Sequence, residues 1–337
     1  LEPLTISALA EALSVELGST HLNTDDIIDE AAILDGCGSL IRLSSPDNVV
    51  ELAHFTVKEF LISIKSRGKV DLLLYDVEEQ AAGLRMALVC LTHCSFDNFS
   101  HDHILDTVEQ KAESQRHPFR SYAASCWYDH ARQQLGNAEV MILAKNLLRP
   151  SKSANFVSWA AQFIIKSGAF AGQLVEDPLL CINSTTILHW ASFLLLPELC
   201  QWLLAEGLHV NRPSQIGRPL HSAVCQDWAS TTGWRGLVLA TDRRDYRLEV
   251  VATLHNGGAH VNAIANMNGL SADDYSQPNE PSVPDVNRED KFINVNEISP
   301  LPLSWKNHML SVFRFLLQAG AVCDAKLLRF FVETATS

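Results

Sequence analysis

Thr186-Ile187-Leu188-His189-Trp190-Ala191 and Gly217-Arg218-Pro219-Leu220-His221-Ser222-Ala223 are two versions of one short phrase, with His189 and His221 32 residues apart. A second phrase occurs three times. It runs Leu203-Leu204-Ala205-Glu206-Gly207-Leu208-His209-Val210-Asn211, then Leu254-His255-Asn256-Gly257-Gly258-Ala259-His260-Val261-Asn262, then Leu316-Leu317-Gln318-Ala319-Gly320-Ala321-Val322-Cys323-Asp324. Self-similarity at a fixed period of roughly 20–50 residues is the mark of stacked units. Such a unit buries its apolar face only against its neighbours. Gly207, Gly258 and Gly320 stand where a helix should end, because glycine closes a helix in the left-handed conformation without a Cβ penalty. His189 and His221 are expected to bond backbone at the turns between units rather than hold a ligand.

An opening T-P-L-H-x-A at a spacing near 33 residues resembles the ankyrin repeat, with Ile187 where the first copy should carry proline. Residues 181–337 are therefore expected to form a solenoid of about three degenerate ankyrin repeats. Two insertions interrupt it. One, near 226–246, holds Trp228, Trp234, Arg235, Arg243 and Arg244; the other, near 274–304, is polar and holds Pro278, Pro281, Pro284, Pro300 and Pro302. Both are expected to be surface loops.

Toward the N-terminus, residues 69–180 keep a helical apolar spacing at 81–91, 119–135, 138–148 and 156–165, which predicts an all-α linker of four to six helices. Residues 1–68 read differently. Leu9, Ala12, Leu13 and Leu17 lie on one helical face behind Thr5 as N-cap, with Gly18 at the end. A second helix is expected from Asn23 or Thr24 to Gly36. Two β-rich runs, 39–43 and 49–53, flank Ser44, Ser45, Pro46, Asp47 and Asn48, a hairpin signal. Val57, Phe60, Leu61 and Ile64 then recur at i, i+3, i+4, i+7, so a third helix ends near Gly68. Helix, helix, hairpin, helix is the order of a winged helix, and the fold class expected for the whole chain is mainly α.

On these residues the chain resembles a known architecture. Pro3-Leu4-Thr5, Leu9-Ala10-Glu11-Ala12-Leu13, Ile33-Leu34-Asp35-Gly36-Cys37-Gly38-Ser39-Leu40 and the segment around His54 look like the winged-helix domain that follows the NACHT NTPase in fungal NLR-like proteins. That domain carries a GPI inositol-deacylase label. Tyr122-Ala123-Ala124-Ser125-Cys126-Trp127-Tyr128-Asp129-His130-Ala131 is similar to the helical segment that links it to C-terminal ankyrin repeats. The resemblance implies a regulatory and sensor portion of a signalling ATPase. It also implies that His54 contacts a nucleotide phosphate, conditional on an upstream NTPase domain that this sequence lacks. Alone, the chain is then expected not to bind ATP or ADP.

Composition narrows the function classes. Net charge is −13, from 26 basic and 39 acidic residues, which argues against a phosphate-backbone partner, since such binding needs Lys and Arg to displace counterions. A DNA-binding winged helix, resting on Lys58, Lys65, Arg67 and Lys69, is the weaker alternative. A hydrolase-associated domain is another, but G-x-S-x-G, H-E-x-x-H and the P-loop are all missing. Cys90-Leu91-Thr92-His93-Cys94 with His101 and His103 has metal-donor chemistry, yet Cys90 and Cys94 continue the apolar face of Leu84, Ala87 and Leu88, so core packing is the expected role. The eight cysteines lack the dense spacing of a secreted disulfide scaffold and read as reduced thiols of a cytoplasmic protein. No signal peptide or membrane span is recognised, and a start at Leu1 suggests a fragment. The expected function is therefore non-catalytic: a protein-protein interaction module binding a protein partner, with no cofactor, metal, nucleic acid, membrane or small-molecule substrate.

Overall fold

The computed structural model describes residues 3–100, 107–167, 178–214, 216–224, 245–264, 299–306 and 309–323. Among these residues it is mainly helical, with fifteen α-helices and one two-stranded sheet. The chain divides into two compact units, Leu1–Ala169 and Phe170–Ser337.

The first unit opens with α1 (Ile6–Leu13), α2 (Glu30–Cys37), the hairpin β1 (Ile41–Ser44) and β2 (Val49–Leu52), and α3 (Phe55–Ser63). The strands pair antiparallel, with Ile41 opposite Leu52 and Ser44 opposite Val49. Thr5 caps α1 by accepting from the Ala8 N–H at 3.2 Å. Ile6, Ala10 and Ile33 form a small core, against which Leu9, Ile27, Leu34, Ile41 and Val50 pack.

Two expectations about this region need correction. The second helix starts at Glu30 rather than at residue 23 or 24. Asn23 instead caps a short 3₁₀ turn over Thr24–Asp26, accepting from Asp25 N–H, and Asp29 caps α2 through Ala31 N–H. Short polar side chains that bond nearby backbone compete with helix continuation, so the acidic pair sits in a turn. The apolar face of α1 is also shifted: Leu13 is 51% exposed, while Ala8, Glu11 and Ala12 are buried.

Beyond the winged-helix region come α4 (Glu79–Cys94), α5 (Thr107–Arg116), α6 (Arg120–Arg132), α7 (Ala138–Leu147) and α8 (Ala154–Ser167). Helix α4 packs on α6 and α7, and α6 packs on α8. Trp127 is fully buried, with its ring 5.8 Å from that of Trp159, whose Nε1 donates to the Ala124 carbonyl at 2.9 Å.

The second unit contains α9 (Pro178–Ser184), α10 (Ile187–Phe193), α11 (Pro197–Ala205), α12 (Pro219–Val224), α13 (Tyr246–Asn256), α14 (Pro300–Lys306) and α15 (Leu310–Gln318). Its helices pair as α10 with α11, α12 with α13 and α14 with α15. The first helices of the pairs pack on one another in sequence, as do the second helices. Helix α14 corrects the expectation of a polar connection through residue 304. Pro300 and Pro302 both fall in its first turn, where backbone N–H groups have no intrahelical acceptor and proline loses nothing. Ser299-Pro300-Leu301-Pro302-Leu303-Ser304 is thus a third opening, aligned with Thr186-Ile187-Leu188-His189 and Arg218-Pro219-Leu220-His221. The remainder of that connection, and 225–244 of the other, lie outside the described residues.

Candidate functional site

The three closings of the second unit share one geometry. Gly207, Gly258 and Gly320 have φ of +87°, +90° and +90°. The residue after each glycine donates its N–H five residues back: Leu208 to the Leu203 carbonyl at 3.1 Å, Ala259 to Leu254 at 2.9 Å and Ala321 to Leu316 at 2.9 Å. This pattern satisfies the carbonyls that a helix end leaves open.

An asparagine then ties each closing to the next. Asn211 Nδ2 donates to the Gly258 carbonyl and its Oδ1 accepts from His260 N–H, both at 2.8 Å. Asn262 repeats this with the Gly320 carbonyl at 3.0 Å and Val322 N–H at 2.7 Å. A primary amide suits the position because it offers a donor and an acceptor side by side to a peptide edge. The sequence reading includes both residues in the repeated phrase but assigns them no role. Their recurrence at the same place after each glycine was the available signal.

The openings place their histidines as expected. His189 Nδ1 accepts from Thr186 N–H at 3.0 Å, and its Nε2 lies 3.2 Å from the Gly217 carbonyl, to which it donates. His221 Nδ1 accepts from Arg218 N–H at 3.3 Å. Each ring thus stitches backbone within its opening, and that of His189 also reaches the next.

His54 stands at the start of α3. Its Nδ1 accepts from Thr56 N–H at 3.3 Å and lies 2.9 Å from Thr56 Oγ1. The ring rests 4.3 Å from that of Phe55, and the residue is exposed. An imidazole nitrogen thereby takes the place of the usual hydroxyl or carboxylate N-cap.

The most elaborate polar cluster of the first unit centres on a residue to which the sequence reading gives no role. Glu11 on α1 is 1% exposed. Its Oε1 accepts from His93 Nε2 at 3.0 Å and from His117 Nδ1 at 3.1 Å, while Oε2 accepts from Phe119 N–H at 2.8 Å. The His93 ring lies among Phe96, Phe99 and Phe119, with centroids 4.9–5.3 Å away. Arg120 reaches Ser158 at 2.7 Å, pairs with Glu113 and places its guanidinium 4.6 Å above Phe99. Burial works to raise the Glu11 pKa, but the bonds from His117, His93 and Phe119 outweigh it and hold the carboxyl at about 2. Desolvation in the aromatic cage lowers the His93 pKa despite the neighbouring carboxylate. The sequence signal for Glu11 was a charged residue within the stripe Ala8, Glu11, Ala12, Val15, spaced i, i+3, i+4, i+7.

Cys90 and Cys94 lie buried on the same helix as His93. Burial raises both thiol pKa values, that of Cys94 to about 12, so neither is a ready thiolate ligand or nucleophile. His93 spends its Nε2 on Glu11, and His101 and His103 lie outside the described residues. Among the described residues there is no group of three or more His, Cys, Asp or Glu side chains arranged to hold a metal ion. None of the described helices is long and apolar enough to cross a membrane.

A mainly helical protein with a small helix-hairpin-helix domain at its start is the class that this architecture defines. Residues 1–70 match the model of the family described as GPI inositol-deacylase, winged helix domain, so the chain contains a winged helix there. Comparison with curated proteins and with solved structures gives no match.

Proposed function

We propose that this chain is a non-catalytic regulatory and interaction module in which an ankyrin-type array holds a protein partner and the winged helix passes on its presence. The observation that carries the reading is one closing geometry, glycine and backward N–H bond, repeated three times and tied forward twice by an asparagine, in helix pairs that pack in sequence. Such stacking makes an extended surface from equivalent positions of successive units. His209, His260 and Val322 occupy one such position and are exposed in all three units.

In this reading the chain is the winged-helix and sensor portion of an NLR-like signalling protein, His54 would meet phosphate only beside an NTPase domain, and the cytoplasm is its compartment. Cys37, Cys90, Cys94 and Cys200 are free thiols, which agrees with a reducing compartment. Lys58 is engaged by Glu79 at 3.1 Å, which leaves fewer of the winged helix's basic residues for DNA.

Affinity capture by the full chain from an extract of its organism of origin, read by quantitative mass spectrometry, tests the proposal. The expected result is a protein enriched by the wild type and lost with His260→Glu/Val322→Glu, two exposed changes that leave the thermal midpoint unchanged. Equal enrichment by both forms, or none by either, would count against it.

A further inference from the structure

Helix α1 has two buried faces. Ile6 and Ala10 point into the winged helix's own core, whereas Ala8, Glu11, Ala12 and Val15 form a second stripe outside that cluster. Three hydrogen bonds leave this stripe for α4 and the start of α6, at sequence separations of 82, 106 and 108 residues, and all three end on one carboxylate. Small residues on either side, Ala8 and Ala12, leave room for it. Helix α1 is thus clasped to the helical block through one buried carboxylate with histidine donors.

We propose that the Glu11 cluster is an acid-released latch, in which α1 is held on α4 and α6 at neutral pH and let go when the opened cluster takes up a proton on His93. This goes beyond the binding role of the second unit and does not depend on its partner. The charged and titratable groups facing the cluster are His93 and Cys94 from α4, Glu113 from α5, His117 from the turn before α6 and Arg120 from α6. Arg120 and Glu113 form an ion pair. His93 donates through Nε2, and its Nδ1 faces the aromatic cage with no hydrogen-bond partner. As a bare acceptor it is tolerated; once protonated it would be a buried donor with nothing to bond.

The closed state therefore refuses a proton that the open state accepts. A folded pKa below the ordinary value of 6.5 contributes stability that is complete above 6.5 and declines as pH falls below it. Glu11, depressed from 4.5 to about 2, adds a second loss that begins only below 4.5. Between 6.5 and 4.5 His93 drives release, and uptake of its one proton raises the opening constant by at most about tenfold per pH unit.

Hydrogen-exchange mass spectrometry on the full chain from pH 7.5 to 5.0, corrected for intrinsic exchange rates, reads this directly. The α1 peptide should lose protection as pH falls below 6.5, by up to about tenfold per pH unit, while the α6 and α8 peptides keep theirs. His93→Gln retains an N–H donor for Glu11 but cannot be protonated, and its α1 protection should stay flat over the same range. Loss of α1, α6 and α8 protection together, a flat wild-type profile, or an unchanged pH slope in His93→Gln would overturn the latch. The wild-type profile alone decides the matter if the variant does not fold.

Discussion

Replacing Glu11 by alanine is expected to destabilise the first unit by about 2–6 kcal/mol. The figure follows from the donors left behind. The His93 Nε2–H and the Phe119 N–H are both buried, and each buried donor without an acceptor costs about 1–3 kcal/mol. His117, 12% exposed, finds water and adds little. A loss of this size is comparable to much of a domain's net stability, typically about 5–15 kcal/mol. Denaturant titration read through exchange of the α6 and α8 amides checks it. A shift under about 1 kcal/mol would mean that the donors re-pair and that the carboxylate is dispensable.

The second large effect is expected at Asn211. Changing it to aspartate keeps the shape and the acceptor for His260 N–H, but sets a carboxylate oxygen against the Gly258 carbonyl where an amide donated. The side chain is 8% exposed, so the lost bond and the unpaired acceptors together cost about 2–4 kcal/mol of second-unit stability. Asn262 makes the same two bonds in an exposed setting, and Asn262→Asp is expected to cost less than about 1 kcal/mol, because water replaces what is lost. Thermal unfolding of the two variants side by side measures the contrast. Equal losses would show that burial does not govern the tie.

Much of this architecture was legible in residue order, for reasons that can be located. Helix ends set by local chemistry were readable: Thr5 as cap, the three glycines, and His189 and His221 bonded to backbone. The hairpin was readable too, since its polar break separates two β-rich runs. What escaped depends on contacts distant in sequence. Nothing local says that Glu11, amid alanines and leucines, meets donors from residues 93, 117 and 119, so helical period alone favoured a face with Leu13 inside. Helix α14 escaped for a different reason. Five prolines within 274–304 read as a loop, yet Pro300 and Pro302 sit where a helix tolerates them. Asn23 read as a helix start, but its side chain caps only a short 3₁₀ turn and Asp29, which the sequence reading passed over, caps α2.

These gains and misses bear on the site in the same way. His54, singled out by resemblance, stands where β2 gives way to α3 and caps that helix. The asparagine ties recur in sequence, but their partners lie 47 to 60 residues ahead, so their purpose shows only when successive closings lie side by side. Because the proposed array is defined by those ties, its function rests on all three closings existing together.

Residue-resolved hydrogen exchange at the Leu208, Ala259 and Ala321 amides tests that most directly, since each makes the same five-residue backward bond in its own unit. A stacked array predicts protection at all three well above that of open loops, with Ala259, in the middle closing, the slowest to exchange. Protection at Leu208 alone, with Ala259 and Ala321 exchanging at unprotected rates, would contradict it.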